Sequence, residues 1–192
     1  MDKKTAMDIL KANTQPNKDE WFSSLKQIYS TDLCTKPALQ KWIKDAIGAY
    51  PESTKWHRLS ARYISNAAIG ILSDNKQKSP AALHTFVTSK KSGLTHEHMT
   101  PKAAIKSVLD RLGKDAWTKD NGKKAREVLD QCSQCAIITQ EEDGNLRKEF
   151  KDTHPGIEDG NLDSNFDVCA RYKQAQIDLS DSPFKPIDYL DF

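Results

Sequence analysis

The sequence predicts an α+β protein that is mainly α, with a helical N-terminal part followed by a small two-stranded module. Apolar residues recur at the helical period over most of the first half, and proline, glycine and asparagine separate these stretches. Residues 136–139 form a short, apolar and β-branched segment, which is typical of a buried strand. With 192 residues, the chain is long enough for one core with a small appended lobe.

Three regions follow from these patterns. Residues 1–85 are expected to be helical, residues 86–152 to form the module with a helical insertion, and residues 153–192 to be a loop-rich acidic segment. We expect all three to pack as one compact unit.

Four helices are predicted in the first region, each from an apolar stripe and a capping or breaking residue. The first contains Ala6, Ile9 and Leu10 and ends before Pro16, and the second is capped by Asn17 or Asp19 and contains Trp21, Phe22, Leu25, Ile28 and Tyr29. The third begins at Pro37, with Leu39, Trp42 and Ile43 facing inward, and ends near Gly48. The fourth is capped by Ser53 or Thr54 and runs from Trp56 to Ile71, with Arg58 and Arg62 on its other face. The aromatic residues at positions 21, 22, 42, 56 and 63 are expected to be core residues.

The second half mixes extended and helical patterns. Residues 84–89 fit either a short strand or the end of a helix, and residues 94–99 look extended. Residues 102–113 and 114–131 have helical patterns, the latter interrupted at Asn121-Gly122. Thr139 and Glu142 have the spacing of a capping box, which predicts a last helix through Leu146 and Phe150. Residues 160–165 are expected to form a loop.

Composition excludes several classes of protein. No apolar run is long enough to span a membrane, and the N-terminus has no apolar signal segment, so we expect a soluble cytoplasmic protein without a membrane partner. No glycine-rich nucleotide-binding motif is present. The formal net charge is only +2, but residues 86–126 hold ten Lys or Arg against four Asp or Glu, and residues 141–192 hold six against thirteen. The basic region is the better candidate for contact with nucleic acid.

The segment with catalytic character is His96-Glu97-His98-Met99-Thr100-Pro101. A neutral imidazole can act as a general base near pH 7. A neighbouring carboxylate can hold a divalent cation that stabilises the charge developing on a phosphate. These side chains suit phosphodiester hydrolysis, and all three of His96, Glu97 and His98 are candidate catalytic residues.

Residues 97–101 resemble the acid-His-x-x-Pro signature of the HNH, or ββα-metal, nucleases, and residues 136–150 resemble the second strand and helix of that motif. The resemblance covers roughly residues 93–152. It implies that Glu97 binds Mg²⁺ or Mn²⁺, that His98 activates water, and that Asp143 or Asn145 supplies a further metal ligand. It also implies DNA, preferably double-stranded, as the substrate, and a restriction or defence role by analogy.

Basic residues between the two predicted strands would then hold the DNA backbone. These residues are Lys102, Lys106, Arg111, Lys114, Lys119, Lys123, Lys124 and Arg126.

The cysteines allow two interpretations. Cys132 and Cys135 have the spacing of half a structural zinc site, with Cys169 and either Cys34 or His154 as further ligands. Alternatively, the cysteines near the strand pack as small apolar residues. His57 and His84 are expected to be structural or solvent-facing.

Two other functions remain open at this point. The chain could be a non-catalytic nucleic-acid-binding module with structural zinc, or a helical interaction protein whose acidic tail contacts a partner. The sequence also leaves open whether it forms a homodimer.

Overall fold

The computed structural model describes residues 1–14, 17–31, 33–52 and 56–191, without the side chains of residues 13, 14 and 52. In chain order, its α-helices are α1 (Lys3–Thr14), α2 (Lys18–Ser30), α3 (Gln40–Glu52), α4 (Asn66–Asp74), α5 (Pro80–Thr88), α6 (Lys102–Leu112), α7 (Asp115–Thr118), α8 (Lys123–Cys132), α9 (Gln140–Phe150) and α10 (Ala170–Gln174). Its strands are β1 (Tyr63–Ile64), β2 (Leu94–His98), β3 (Cys135–Thr139), β4 (Ile157–Glu158) and β5 (Asn161–Leu162). The predicted class, α+β and mainly α, is confirmed.

The central sheet has the strand order β1-β3-β2. β2 and β3 are antiparallel, so that Leu94 lies opposite Thr139 and His98 lies opposite Cys135. The helix α9 begins directly after β3, because Thr139 accepts a hydrogen bond from the Glu142 amide and Glu142 accepts one from the Thr139 amide. The predicted capping box is therefore present, and it fixes where the strand becomes a helix.

The sheet contains a third strand that the sequence pattern did not predict. Tyr63 and Ile64 pair in parallel with β3, inside a stretch that was expected to be helical. Backbone hydrogen bonds hold them there, from Arg62 N to Cys135 O at 3.0 Å and from Ser65 N to Ile137 O at 3.0 Å. Arg58 lies in a short 3-10 helix, His57–Ser60, so Arg58 and Arg62 do not share a helix face. The expected caps Ser53 and Thr54 lie outside the described residues.

Ser65 ends β1 and caps α4. Its side chain accepts a hydrogen bond from the Ala68 amide at 3.1 Å and donates one to Glu142 Oε2 at 2.7 Å. The caps of α4 and α9 are therefore joined through one carboxylate.

Residues 84–88 form the end of a helix, which is one of the two alternatives predicted for this segment. Residues 80–88 form the helix α5, because Pro80 follows the cap Ser79, whose hydroxyl accepts a hydrogen bond from Ala82 N. The loop expected at residues 160–165 differs in part, because residues 161–162 form β5 of the β4-β5 hairpin, whose two turn residues, Asp159 and Gly160, both have positive φ. This backbone twist suits a two-residue hairpin turn.

Helices α2, α3, α6, α7 and α8 enclose one hydrophobic core. At its centre Trp117 is fully buried and stacks on Tyr29, with ring centroids 4.4 Å apart, and on Phe22 at 5.9 Å. Trp42 is 38% exposed, so its expected core position is wrong, because it lies at the edge of this cluster beside Trp21.

The two faces of the sheet carry the other cores. On one face, Ile64 and Ile137 pack with α1, α4, α5 and the C-terminal residues Tyr189 and Leu190. On the other, Ala136 and Ile138 pack with Leu146 of α9 and Tyr172 of α10, among others. Segments from all three predicted regions of the chain thus share the cores around this sheet.

Candidate active site

A cleft with a volume of about 570 Å³ lies at the C-terminal end of β2. Four elements form its walls: β2, the start of α6, α3 and the end of α9. The lining residues are His96, Glu97, His98, Pro101, Lys102, Ala103, Lys44, Asp45, Arg147, Lys151 and Asp152. The candidate catalytic segment, His96 to Pro101, therefore lies in a concave site.

The local sequence explains how the cleft forms. Met99 is fully buried and its amide donates to Gln134 O at 2.9 Å, which anchors the end of β2. Pro101 then ends the extended segment, and α6 begins at Lys102. The Lys102 side chain lies across α3 at Gly48, where a Cβ atom would come within 2.5 Å of Nζ. A glycine at this position is needed for Lys102 to reach the cleft in this conformation.

His96 and His98 lie on the same face of β2, as expected from strand alternation. Their ring centroids are 6.4 Å apart, with an angle of 70° between the ring planes. His98 Nδ1 lies 3.7 Å from Cys135 Sγ, which is the residue opposite it in β3. Both histidines are half-buried and line the cleft, but the Nε2 atom of His96 is buried from solvent.

The histidines continue into a row that runs away from the cleft. The ring of His57 lies 5.9 Å from that of His96, and the ring of His84 lies 6.2 Å from that of His57. His84 stacks on Trp56, with centroids 6.0 Å apart. Burial lowers the pKa of His84, and the charges of His57 and Arg58 lower it further. The expectation that His57 and His84 are structural agrees with these contacts.

Glu97 faces the other side of the sheet, where it meets the buried Arg171. Arg171 Nη2 lies 3.5 Å from Glu97 Oε1, and the exposed fractions of the two side chains are 1% and 17%. Arg171 Nη1 also donates to the carbonyl oxygens of His98 and Met99, at 3.0 and 3.2 Å. Burial raises the pKa of the Glu97 carboxyl, and the charge of Asp143 raises it further, whereas Arg171, His98 and Arg147 act in the opposite direction.

The two candidate metal ligands of α9 lie in different places. Asp143 is close enough to Glu97 to raise the pKa of its carboxyl group. Asp143 also accepts a hydrogen bond from Arg147 Nε at 2.9 Å. Asn145 is exposed and accepts a hydrogen bond from Lys148, in a separate depression between α9 and α10. The structure therefore brings Glu97 and Asp143 together and leaves Asn145 outside the cleft.

The Mg²⁺ or Mn²⁺ site implied by the sequence resemblance does not fit this set of donors. A divalent cation of this kind prefers carboxylate oxygens with free coordination positions. Glu97 is already paired with Arg171 and Asp143 with Arg147. Within the described part of the chain, no three His, Cys, Asp or Glu residues are grouped so that they could hold a metal ion. Arginine side chains supply the positive charge at these carboxylates.

The candidate zinc ligands belong to three different cores. Cys132 packs among the helices around Trp117, Cys135 packs on one face of the sheet, and Cys169 packs against the core of the other face. Burial raises the pKa of the Cys132 thiol to about 12, which disfavours the thiolate that zinc requires. Cys34 packs against the first core, and His154 Nδ1 accepts a hydrogen bond from Gly156 N. This placement favours the alternative reading, in which the cysteines pack as small apolar residues.

Several of the predicted DNA-binding residues are paired with acidic residues. The prediction that Lys106 contacts DNA is wrong, because its side chain is only 11% exposed and its Nζ atom lies 2.5 Å from Asp110 Oδ2. Lys119 and Lys123 pair with Asp115 and Glu127, at 2.6 and 3.9 Å. Arg126 pairs with Asp19 at 2.7 Å and lies over the Phe22 ring.

The remaining predicted cations divide between two sites. Lys102 lines the cleft, whereas Arg111 and Lys124 line a separate depression beside β5. Lys114 lies at the start of α7 and lines neither depression. The predicted basic residues therefore do not form one surface around the cleft.

Sequence reasoning missed four basic residues of the site: Lys44, Arg147, Lys151 and Arg171. Arg147 and Lys151 follow Asp143 at intervals of four along α9, and this spacing could have revealed that they share its face. No local signal connects Lys44 or Arg171 with the candidate catalytic segment, because tertiary packing brings them there.

Comparison with known proteins identified no significant match. No known protein-family model matches this chain, and neither a curated protein sequence nor a solved structure shows significant similarity to it. Among the described residues, no helix is both long enough and apolar enough to cross a membrane. The geometry of the cleft is therefore the basis for the functional proposal.

Proposed function

We propose that this protein is a nuclease that cleaves phosphodiester bonds of a nucleic acid in the cleft at the end of β2. One observation carries the proposal: the cleft combines two histidines, His96 and His98, with four basic side chains from three helices. These basic side chains are Lys44, Lys102, Arg147 and Lys151.

The basic side chains suit a phosphate backbone. Lysine and arginine contacts to phosphates provide most of the sequence-independent affinity for nucleic acids. Asp45 and Asp152 also line the cleft. Glu97 is paired with Arg171 and Asp143 with Arg147, so the lining cations available to a phosphate are Lys44, Lys102 and Lys151. The cations remaining in the cleft can therefore attract an anionic substrate and stabilise negative charge that develops on phosphorus.

The histidines suit the proton transfers. A histidine can take or give a proton near neutral pH, which is the task of a general base or acid. His98 is the base in this proposal, as the resemblance to the acid-His-x-x-Pro signature implies. DNA, divalent-metal dependence and a restriction or defence role are further implications of that resemblance, and the assays below include them.

Binding is tested with two matched charge reversals on α9. Lys151 lines the cleft, whereas Lys148 is three residues earlier, also exposed and outside it. Lys151→Glu should weaken the binding of fluorescently labelled DNA and RNA oligonucleotides and reduce the salt dependence of binding. Lys148→Glu should have a much smaller effect in the same anisotropy titration. Equal effects of the two variants would remove the cleft from the interface.

Cleavage is tested with His98→Ala on DNA and RNA, with Mg²⁺, with Mn²⁺ and with EDTA. A lost general base should reduce the rate by about 10²- to 10⁴-fold while affinity stays nearly constant. Binding without turnover by the wild-type protein would instead support a non-catalytic nucleic-acid-binding module. If the wild-type protein neither binds nor cleaves nucleic acid, the alternative of a helical protein-interaction module is favoured.

A further inference from the structure

We propose that the substrate is RNA, and that the cleft cleaves it without a divalent cation by attack of the ribose 2′-hydroxyl on the adjacent phosphorus. This inference rests on the nuclease function proposed above and specifies its substrate class. The observation behind it is that two imidazoles line the same cleft as Lys44, Lys102 and Lys151, while Arg171 and Arg147 pair with the nearby carboxylates.

The pairing of Glu97 with Arg171 disfavours a metal-dependent mechanism. Metal-assisted hydrolysis relies on a cation to generate a nucleophilic hydroxide and to stabilise the leaving oxygen. Here Arg171 pairs with Glu97 and also donates to two carbonyl groups of the β2 end, so a cation at Glu97 would have to displace a buried guanidinium. Such a displacement would leave an uncompensated buried charge, which is costly. A metal-bound hydroxide is therefore not the nucleophile that this site favours.

RNA carries its own nucleophile. The 2′-hydroxyl is held next to the phosphorus by the ribose, so its attack is intramolecular and has a large advantage over the attack of a free water molecule. The protein then needs to supply only a base, an acid and positive charge. DNA lacks this hydroxyl.

The two histidines can supply the base and the acid. In an in-line displacement, the entering and leaving oxygens lie on opposite sides of the phosphorus, so the base and the acid must reach the phosphate from two directions. The ring centroids of His96 and His98 are 6.4 Å apart, and their planes are inclined by 70°. This separation leaves room for a phosphate oxygen to approach His98 and the Nδ1 atom of His96 at a hydrogen-bond distance of about 2.8 Å.

The step balances without an additional reactant. His98 accepts the proton of the 2′-hydroxyl, the O2′–P bond forms, and the P–O5′ bond breaks. The imidazolium of His96 gives its Nδ1 proton to O5′, because its Nε2 atom is buried. The products are a 2′,3′-cyclic phosphate and a 5′-hydroxyl end. Lys102 and Lys151, which also line the cleft, stabilise the additional negative charge on the phosphoryl oxygens.

The experiment uses DNA oligonucleotides that contain one ribonucleotide, with EDTA in excess. The comparison substrates are the all-deoxy sequence and the same sequence with a 2′-O-methyl group at the single ribose. We expect cleavage only at the free ribose, and a product mass that corresponds to a cyclic phosphate. His96→Ala and His98→Ala should each slow this cleavage by about 10²-fold or more. Lys148→Gln, outside the cleft, is the matched control and should cleave at the wild-type rate.

The substrate series keeps the test independent of variant folding, because the 2′-O-methyl group is a change in the oligonucleotide alone. Cleavage of the all-deoxy sequence at a comparable rate, a 5′-phosphate product, or activity that EDTA abolishes and Mg²⁺ restores would overturn this inference. Those three results would leave the proposed nuclease function standing. Absence of cleavage of every substrate under every condition would overturn both proposals.

Discussion

The guanidinium of Arg171 lies against the carboxylate of Glu97 inside the protein, with Nη2 3.5 Å from Oε1. The two residues are distant in sequence, and their contact ties the C-terminal segment to the strand that carries the candidate catalytic histidines. Because Arg171 also donates to the carbonyl oxygens of His98 and Met99, it fixes the backbone at the end of β2.

Removal of Arg171 should strongly destabilise the fold. Arg171→Met leaves the buried carboxylate and two carbonyl groups without their donor, and breaking such a buried pair typically costs about 3–5 kcal/mol. Lys173→Met provides the control, because its ion pair with Asp167 is exposed and should contribute less than about 1 kcal/mol. Urea unfolding of both variants measures the difference. Similar unfolding free energies for the two would show that the Arg171 network contributes little.

His84 should make the fold sensitive to acid. Burial lowers the pKa of this side chain in the folded state below its ordinary value of 6.5, so the unfolded chain binds a proton more readily as the pH falls. The contribution of neutral His84 to folding stability is therefore fully present above pH 6.5 and is lost as the pH falls below it. His84→Phe should retain the stacking on Trp56 and remove this loss. Urea unfolding at about pH 7.5 and about pH 5.5 brackets the ordinary histidine pKa; an equal loss in both proteins would contradict the assignment.

Cys132 should be chemically inert in the native protein. It is fully buried and its thiol has a raised pKa of about 12, whereas Cys169 is half-buried. Short exposure to iodoacetamide, followed by peptide mass spectrometry, should show less alkylation at Cys132 than at Cys169, and unfolding in urea should abolish the difference.

A metal analysis and a melting curve of the untreated protein test the zinc hypothesis. The dispersed cysteines predict that a chelator leaves the melting temperature unchanged. About one zinc per chain, together with chelator-induced loss of stability, would instead support the zinc site that the spacing of Cys132 and Cys135 suggests.

Thr139 should stabilise the start of α9. Its hydroxyl accepts the hydrogen bond of the Glu142 amide, and loss of such a cap costs about 1 kcal/mol. Thr139→Ala should lower the unfolding free energy by about this amount. Thr85→Ala is a suitable control, since Thr85 is exposed within α5 and its hydroxyl bonds only to Ala81 O one turn earlier. A larger loss in the control would contradict the capping role.

Local patterns in the sequence predict the elements that local interactions determine. Residues 135–139 form the expected strand, and the Thr139 capping box begins the expected helix. In contrast, β1 consists of two residues whose strand geometry depends on hydrogen bonds to Cys135 and Ile137, more than 70 positions away. Hydrophobic periodicity cannot detect such pairing, so this segment looked helical.

The candidate site was predictable to the same degree. Strand alternation places His96 and His98 on one face and Glu97 on the other, and the register with β3 confirms this arrangement. The partner of Glu97 was not predictable, because Arg171 comes from another region of the chain. Nor could a charge count show that Lys106 is covered and paired with Asp110, since that depends on how α6 packs.

The carboxylate of Glu142 connects the N-terminal caps of α4 and α9. Its Oε2 atom accepts hydrogen bonds from both the Thr139 amide and the Ser65 hydroxyl, each at 2.7 Å. The first turns of α4 and α9 consequently cannot fray separately without breaking a common contact. In native-state hydrogen exchange, the amides of Ala68 and Glu142 should therefore open in one concerted fluctuation, and Glu142→Ala should split that fluctuation into two faster, independent ones.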